Sequence, residues 1–201
     1  MKIEMLNKEL ANHMIGSEYA HKRLVFGVGP GNAKIALIGE APGGEEEKAG
    51  QPFVGKAGKN LTEFLSKLNI SRDDVYITNA VKLRPSKPSP KTGRELNRTP
   101  NSREIEFFNP YLHRELEIIA PKYIVTLGNV PLSAVTGQNL KIGECHGQII
   151  KAGNYENVFA LYHPAAIIYN QDLKDVYAND LEVLRKLING NGAYSKRLSK
   201  S

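Results

Sequence analysis

The chain contains very little cysteine: one residue, Cys145, in 201. A single cysteine cannot form an internal disulfide, and it cannot build a metal cage from several thiolates. Long hydrophobic runs are also missing, because the longest are short segments such as 35–38, so we expect no membrane span. The amino-terminal segment lacks the apolar core and small-residue cleavage site of a secretory signal, and we therefore expect a cytoplasmic protein.

The composition is that of an ordinary folded protein. Hydrophobic residues make up 41% and charged residues 24%, which excludes a disordered or collagen-like chain. The length suffices for one domain with a buried core. No internal repeat is visible, so we predict a single domain over residues 1–190, followed by a disordered tail over 191–201.

Positive charge is concentrated in one segment. Seven basic residues and one acid, Glu95, lie between Lys82 and Arg103, which gives this segment a net charge of +6, equal to that of the whole chain. Four prolines in the same segment predict an extended loop without regular secondary structure. Such a loop suits a phosphate backbone, because each neutralised phosphate releases counterions. A solvated surface loop explains the charge equally well.

Apolar periodicity predicts strands alternating with helices. This order predicts an α/β fold, namely a three-layer α/β/α sandwich with a central, mainly parallel, four-stranded sheet. The predicted helices cover 1–15, 57–68, 102–120, 130–135 and 172–188; the strands cover 34–39, 75–81, 123–127 and 157–161, the last preceded by a hairpin partner at 148–151.

Polar residues follow three of these strands. A glycine-rich acidic loop at 39–47 follows the first strand, Asn79 ends the second, and His163 follows the fourth. Sheets of this class bind ligands at the carboxyl ends of their strands. We therefore expect a carboxylate, an amide and an imidazole at one edge of the sheet.

Four motifs occur in order along the chain: GEAPG at 39–43, QPFVGKAG at 51–58, TNAVK at 78–82 and HPAA at 163–166. Together they resemble the uracil-DNA glycosylase superfamily, and in particular its family 4, a bacterial and archaeal branch that normally carries an iron–sulfur cluster. The likeness extends from about residue 24 to residue 187. It implies a monomeric DNA repair enzyme that acts on the nucleoid. This enzyme flips uracil out of DNA and hydrolyses its N-glycosidic bond, which leaves an abasic site.

The resemblance implies two catalytic residues. His163 matches the histidine that donates to uracil O2 as the leaving group gains negative charge. Glu40 matches a position from which a carboxylate orients water or favours the cationic sugar. The best-known branch of the superfamily has an aspartate where this chain has Ala41, so the resemblance alone does not assign the activation of water.

The resemblance also implies a set of base contacts. Asn79 matches the residue that binds the uracil amide edge, where a carboxamide accepts from N3–H and donates to O4, a pattern that cytosine inverts. Phe53 matches the ring that stacks on the flipped base, and Glu46 a position beside uracil C5 that excludes the methyl group of thymine. The backbone N–H groups of Ala41 and Gly43 are further predicted contacts. Turn formation, core packing and a solvated acidic loop are the structural alternatives for Asn79, Phe53 and Glu46.

Two further regions are predicted to contact DNA. In the basic loop these are Lys82, Arg84 and Arg98. Downstream of His163, the family inserts a loop into the minor groove to fill the gap left by the flipped nucleotide, and Ile167 or Ile168 matches its apolar wedge. Ordinary burial under the last helix is the alternative for both isoleucines.

The chain departs from family 4 at the cluster ligands. The positions of the four cysteines fall near Asn12 and Ile15 and at Leu83 and Phe108. We therefore predict no metal and no other cofactor, with apolar packing around Leu83, Phe108 and the first helix in place of the cluster. Two alternative functions remain open: excision of another deaminated base, such as hypoxanthine or xanthine, and non-catalytic binding of DNA or RNA.

Overall fold

A computed structural model of the chain describes residues 2–170 and 172–190, so the tail predicted at 191–201 lies outside the described residues. The helices are α1 (Lys2–Ile15), α2 (Gly44–Ala49), α3 (Lys56–Lys67), α4 (Ser102–Ile119), α5 (Asn129–Thr136), α6 (Ile142–Cys145), α7 (Ala166–Tyr169) and α8 (Leu173–Ile188), with a 3₁₀ turn at Arg72–Asp74. The strands are β1 (Ile35–Gly39), β2 (Tyr76–Asn79), β3 (Ser86–Pro88), β4 (Glu95–Asn97), β5 (Tyr123–Leu127), β6 (Ile149–Ala152) and β7 (Tyr155–Leu161).

The central sheet has the strand order β2-β1-β5-β7-β6. Strands β2, β1, β5 and β7 are parallel, and β6 pairs antiparallel with β7 at one edge. The α/β class and the mainly parallel sheet are confirmed. The sheet has five strands rather than the predicted four, because the hairpin partner forms β6 along the whole outer side of β7.

Alternating side chains of the central strands supply two separate cores. Leu37, Val125 and Phe159 lie on one face, in a cluster with apolar residues of α3 and α8. Ile38 and Ile124 lie on the other face, in a cluster with residues of α4 and α5. Since successive side chains of a strand point to opposite faces, this division confirms the three layers.

Two segments predicted as loops contain short regular elements. The basic segment forms the hairpin β3–β4, with Ser86 paired to Asn97 and a turn that includes Gly93 at φ +65°. The acidic loop after β1 contains α2, whose first turn holds three glutamates. Negative charge there is favoured by the partial positive charge of a helix amino terminus.

A third apolar cluster joins α1 to α4. It includes Leu6, Leu10 and Met14 of α1 together with Leu83 and Phe108, and the last two are fully buried. The predicted packing of the first helix around Leu83 and Phe108 is therefore confirmed. No helix in the described ranges combines the length and the hydrophobicity that crossing a membrane requires.

Candidate active site

Three of the predicted site residues lie at the edge of the sheet that is formed by the carboxyl ends of its parallel strands. Glu40 follows β1 directly, and Asn79, the last residue of β2, is in register with Gly39. His163 lies just beyond the end of β7, which is separated from β1 only by β5. The parallel topology thus brings a carboxylate, an amide and an imidazole to the same edge.

Phe53 joins this group through two close backbone approaches. It is buried and has a left-handed backbone with φ 55°, which is uncommon outside glycine. A Cβ at Gly58 would overlap the carbonyl of Phe53, so α3 reaches this position only because residue 58 has no side chain. A Cβ at Gly39 would overlap both the Phe53 ring and Oδ1 of Asn79. The ring and the amide therefore meet at the end of β1.

The imidazole of His163 lies beside the Phe53 ring. The two ring centroids are 6.0 Å apart, and the ring planes are inclined by 28°. The structure thus brings Asn79, Phe53 and His163 together in one place.

The hydrogen bonding of His163 selects one of its two neutral forms. The backbone N–H of Ala165 donates to Nδ1, with 3.1 Å between the nitrogens. Because Nδ1 accepts, the proton of the neutral ring is on Nε2, which is then a hydrogen-bond donor. Burial lowers the pKa of His163, while the charge of Glu46 acts in the opposite direction. At neutral pH the ring is therefore an uncharged donor.

Glu40 is half-buried at the end of β1. Burial raises the pKa of its carboxyl group, and a hydrogen bond with the side chain of Thr99 opposes this shift. The Thr99 hydroxyl thus stabilises the ionised carboxylate in a site that otherwise disfavours charge.

Glu46 connects α2 to the loop that carries Phe53. Its Oε1 accepts from the backbone N–H of Gly55 at 2.8 Å. A Cβ at Gly43 would lie 2.8 Å from its other carboxylate oxygen, so Gly43 leaves room for this side chain. Ala41, the remaining predicted base contact, is half-buried and packs against the third apolar cluster. Glu46 therefore stabilises the loop that carries Phe53, independently of any contact with a base.

Three supporting contacts of the site are absent from the sequence predictions. They are the Thr99 hydroxyl on Glu40, the Ala165 N–H on His163, and a bond from Nδ2 of Asn60 to the carbonyl of Pro164 at 3.1 Å. The last contact links α3 to the loop that carries His163. The Ala165 contact is made by the backbone and the Asn60 contact ends on a backbone carbonyl, so side-chain patterns carry no signal for either.

Lys82 is not a surface residue, and its burial does not favour the predicted contact with DNA. Its side chain is 3% exposed and pairs with Glu115 of α4 at 2.5 Å. To reach a phosphate, the ammonium group would have to leave a buried ion pair, which costs on the order of several kcal/mol.

Arg84 and Arg98 are engaged in contacts within the protein. Arg84 pairs with Glu47 of α2 at 3.2 Å, and its Nε donates to Oδ1 of Asn97 at 2.8 Å. Arg98 forms two bonds of 2.7 Å with Glu104, the residue that completes the capping box of α4. Both arginines therefore hold the basic segment against its neighbours.

The predicted wedge residues lie in the short helix α7 after His163. Ile167 is half-buried and packs against the core cluster shared by α3 and α8. The side chain of Ile168 lies outside the described part of the structure.

Comparison with known proteins agrees with the geometry of this edge. The family model described as the Uracil DNA glycosylase superfamily matches residues 26–186, which include all four motifs. The chain belongs to this superfamily.

Type-4 members of the superfamily are similar over most of their length. The type-4 uracil-DNA glycosylase of Archaeoglobus fulgidus is 38% identical over 170 residues, which cover 81% of each chain. That of Sulfurisphaera tokodaii is 40% identical over 174 residues, or 81% of this chain and 74% of the relative. That of Thermotoga maritima is 37% identical over 172 residues, or 84% and 85%.

The chain has one cysteine, and two of the positions where the resemblance expects cluster ligands, Leu83 and Phe108, do not fit an iron–sulfur cluster. Both residues are buried in the third apolar cluster, and aliphatic or phenyl side chains offer no ligand atom to iron. Cys145 belongs to a different apolar cluster, against α4 and α5. Among residues 2–170 and 172–190, no three His, Cys, Asp or Glu side chains are grouped to hold a metal ion.

Proposed function

We propose that this protein is a monofunctional uracil-DNA glycosylase, which hydrolyses the N-glycosidic bond of a flipped-out deoxyuridine and leaves an abasic site. One observation carries the proposal: Asn79, Phe53 and His163 meet at one sheet edge beside Glu40, and His163 is a donor through Nε2. Each of these groups matches one requirement of the reaction.

Recognition of the base is assigned to Asn79 and Phe53. The carboxamide accepts from uracil N3–H and donates to O4, while cytosine presents the opposite pair of groups. The Phe53 ring stacks on the base with about 1–3 kcal/mol and with little dependence on base identity. Selectivity against cytosine therefore comes from Asn79, and affinity for the flipped base comes from Phe53.

Bond cleavage is assigned to His163. When the bond between C1′ and N1 breaks, its electron pair leaves with uracil, and negative charge develops on O2. The Nε2–H group of His163 donates to O2 and stabilises this anion without transferring its own proton. A neutral donor is suited to this role, and the lowered pKa of the half-buried His163 supports the assignment.

The sugar side of the reaction is assigned to Glu40. As uracil departs, C1′ acquires positive charge, which an ionised carboxylate favours. Water then adds through its oxygen to C1′ and loses one proton, and the uracil anion takes up one proton at N1. Glu40 positions this water.

The direct test is release of free uracil from single- and double-stranded DNA in the presence of a metal chelator. Strand breakage should appear only after treatment with alkali, because water, rather than a lysine side chain, adds to C1′ of the sugar. A panel with hypoxanthine and xanthine tests the other bases. A folded protein that releases no uracil, or that releases a purine faster, contradicts the proposal.

The pH dependence should be one-sided. Glu40 acts ionised with a raised pKa, and His163 acts neutral with a lowered pKa, so acidification impairs both. We expect kcat/KM to be constant at neutral and mildly basic pH and to fall on acidification. Glu40→Gln should lower the rate and leave a single, His163-dependent acid limb. A loss of activity between about pH 7 and 8 would contradict these protonation states.

The DNA-facing surface is assigned to exposed cations of the hairpin β3–β4 rather than to Lys82. Lys87, Lys91 and Arg94 are exposed there. The hairpin lies next to the site, because a Cβ at Gly43 would be 3.1 Å from Nδ2 of Asn97.

Ile167 or Ile168 remains the proposed wedge. We assign this activity to a monomer in the bacterial or archaeal cytoplasm, without a cluster, metal or other cofactor.

Binding should depend on salt through this hairpin. For the double variant Lys87→Gln/Lys91→Gln, we expect the slope of log Kobs against log[salt] to shrink by about 0.9 for each lost phosphate contact. The matched control is Lys34→Gln/Lys122→Gln, two exposed lysines just before β1 and β5, at the opposite edge of the sheet. Equal slopes for the two double variants would remove the hairpin from the interface.

A further inference from the structure

A buried ion pair lies directly behind the proposed base-recognition residue. Lys82 follows β2, and Glu115 lies on the inward side of α4. Their charged atoms are 2.5 Å apart, and each side chain is only 3% exposed. Burial of such a pair is costly, and replacement of both partners by apolar residues often leaves stability unchanged or higher. Stability alone is therefore a weak reason for this pair.

The ammonium group of Lys82 is fully engaged. It donates to Glu115 Oε2 at 2.5 Å, to Thr78 Oγ1 at 2.5 Å and to the backbone carbonyl of Asn79 at 2.7 Å. An ammonium group has three protons, so these acceptors use all of them and fix its position. One of the three acceptors belongs to Asn79 itself.

Glu115 holds the other side of the same network. It accepts from the Tyr76 hydroxyl at 2.7 Å and from the Thr78 hydroxyl at 3.1 Å. A Cβ at Gly27 would overlap both the Tyr76 hydroxyl and the Glu115 carboxylate, so the chain closes tightly over this network. The ion pair is thus hydrogen-bonded to Tyr76, Thr78 and Asn79 of β2, and Asn79 is the last residue of that strand.

The ion pair adds a side-chain contact to the backbone bonds that hold this end of β2. In the central sheet its neighbour is β1, and past Asn79 the N–H groups of Ala80 and Val81 continue the bonds on that side. On the outer side, an isolated bridge joins Val28 to Ile77, and the N–H of Val25 donates to the carbonyl of Lys82. The Asn79 carbonyl is bound instead by Lys82. By binding this carbonyl, the ammonium group fixes the backbone from which the carboxamide of Asn79 projects.

We propose that Lys82 and Glu115 are positioning residues for Asn79, and that their buried pair fixes the carboxamide in the orientation that recognises uracil. This inference rests on the proposed function, since it concerns how Asn79 performs its assigned role. Neither residue touches the base or the sugar.

The test is a double-mutant cycle on the full chain. Lys82→Met/Glu115→Leu removes both charges at similar volume, and thermal unfolding verifies that the variant is folded. We expect kcat for uracil release to fall about 10- to 100-fold with a small change in KM, as for a displaced contact group. In an Asn79→Ala background, the same pair of changes should cause no further loss, because Lys82 and Glu115 act through Asn79.

Glu115→Gln provides a second variant if the double variant does not fold, since it keeps the side-chain size and an acceptor oxygen. It should lower kcat at least threefold alone and leave kcat unchanged in the Asn79→Ala background. Losses that multiply in that background, or a folded variant with the wild-type kcat, would overturn the inference. Wild-type protein that releases no uracil would instead overturn the proposed function, and the inference with it.

Discussion

His163→Ala should lower the rate of uracil release by about 10²- to 10³-fold, the usual cost of losing one preorganised donor to a developing anion. The donor is prepared in the ground state, because the Ala165 N–H occupies Nδ1 and leaves the proton on Nε2. Single-turnover release of uracil from a labelled oligonucleotide measures this rate. Affinity for DNA should change little, since the contact is strongest when O2 carries charge.

The control for this variant is His21→Ala. His21 is exposed and lies outside the four motifs, so its removal should leave the rate unchanged. A His163→Ala protein that unfolds at the wild-type temperature and retains at least half of the wild-type rate would show that another group stabilises the leaving uracil.

Asn79→Asp should change the preferred base. An ionised carboxylate accepts hydrogen bonds but cannot donate to uracil O4, whereas it accepts readily from the N4 amino group of cytosine. Two hydrogen bonds are affected, at about 1–3 kcal/mol each, so the ratio of uracil to cytosine excision should fall roughly 10²- to 10⁴-fold. Parallel assays on otherwise identical oligonucleotides measure the ratio.

Asn32→Asp is the matched control for this prediction. Asn32 is exposed in the segment before β1, at the opposite edge of the sheet, and its substitution adds the same negative charge. The base ratio of this control should equal that of the wild type. An unchanged ratio in Asn79→Asp would mean that a different group recognises the base.

The spacing of apolar residues was sufficient to predict the elements whose apolar side chains form one continuous buried face. The run at 123–127 matches β5, and the stripe through Phe108, Leu112 and Leu116 matches α4. The hairpin β3–β4 has no such pattern: each strand has three residues, most side chains are exposed, and Pro88 stands within β3. Local composition therefore favoured a loop there.

Lys82 illustrates why a charge pattern does not locate a charge. It opens a run of cations, and that run predicts contact with DNA for Lys82 as for Arg84 and Arg98. Its partner Glu115 is distant in sequence and interrupts the buried stripe of α4 beside Leu112 and Leu116. A carboxylate on the inward face of a helix is a signal for a buried cation, and that signal was available.

The residues of the site were easier to predict than their state. Asn79, Phe53 and His163 belong to motifs, and their proximity follows from strand order. The tautomer of His163 depends on a backbone N–H two residues later, and the environment of Glu40 depends on Thr99. Such contacts arise from the path of the chain in three dimensions, which no linear pattern records.

The contact of Phe53 and Asn79 across Gly39 limits how this enzyme could be redesigned. Even one methyl group at position 39 would push the ring and the amide apart. Residue 39 therefore cannot be replaced by any larger residue without displacing Phe53 or Asn79. Attempts to broaden the range of excised lesions should therefore leave the end of β1 untouched. The same constraint makes residue 39 a useful marker when distant homologues are sorted into active and inactive groups.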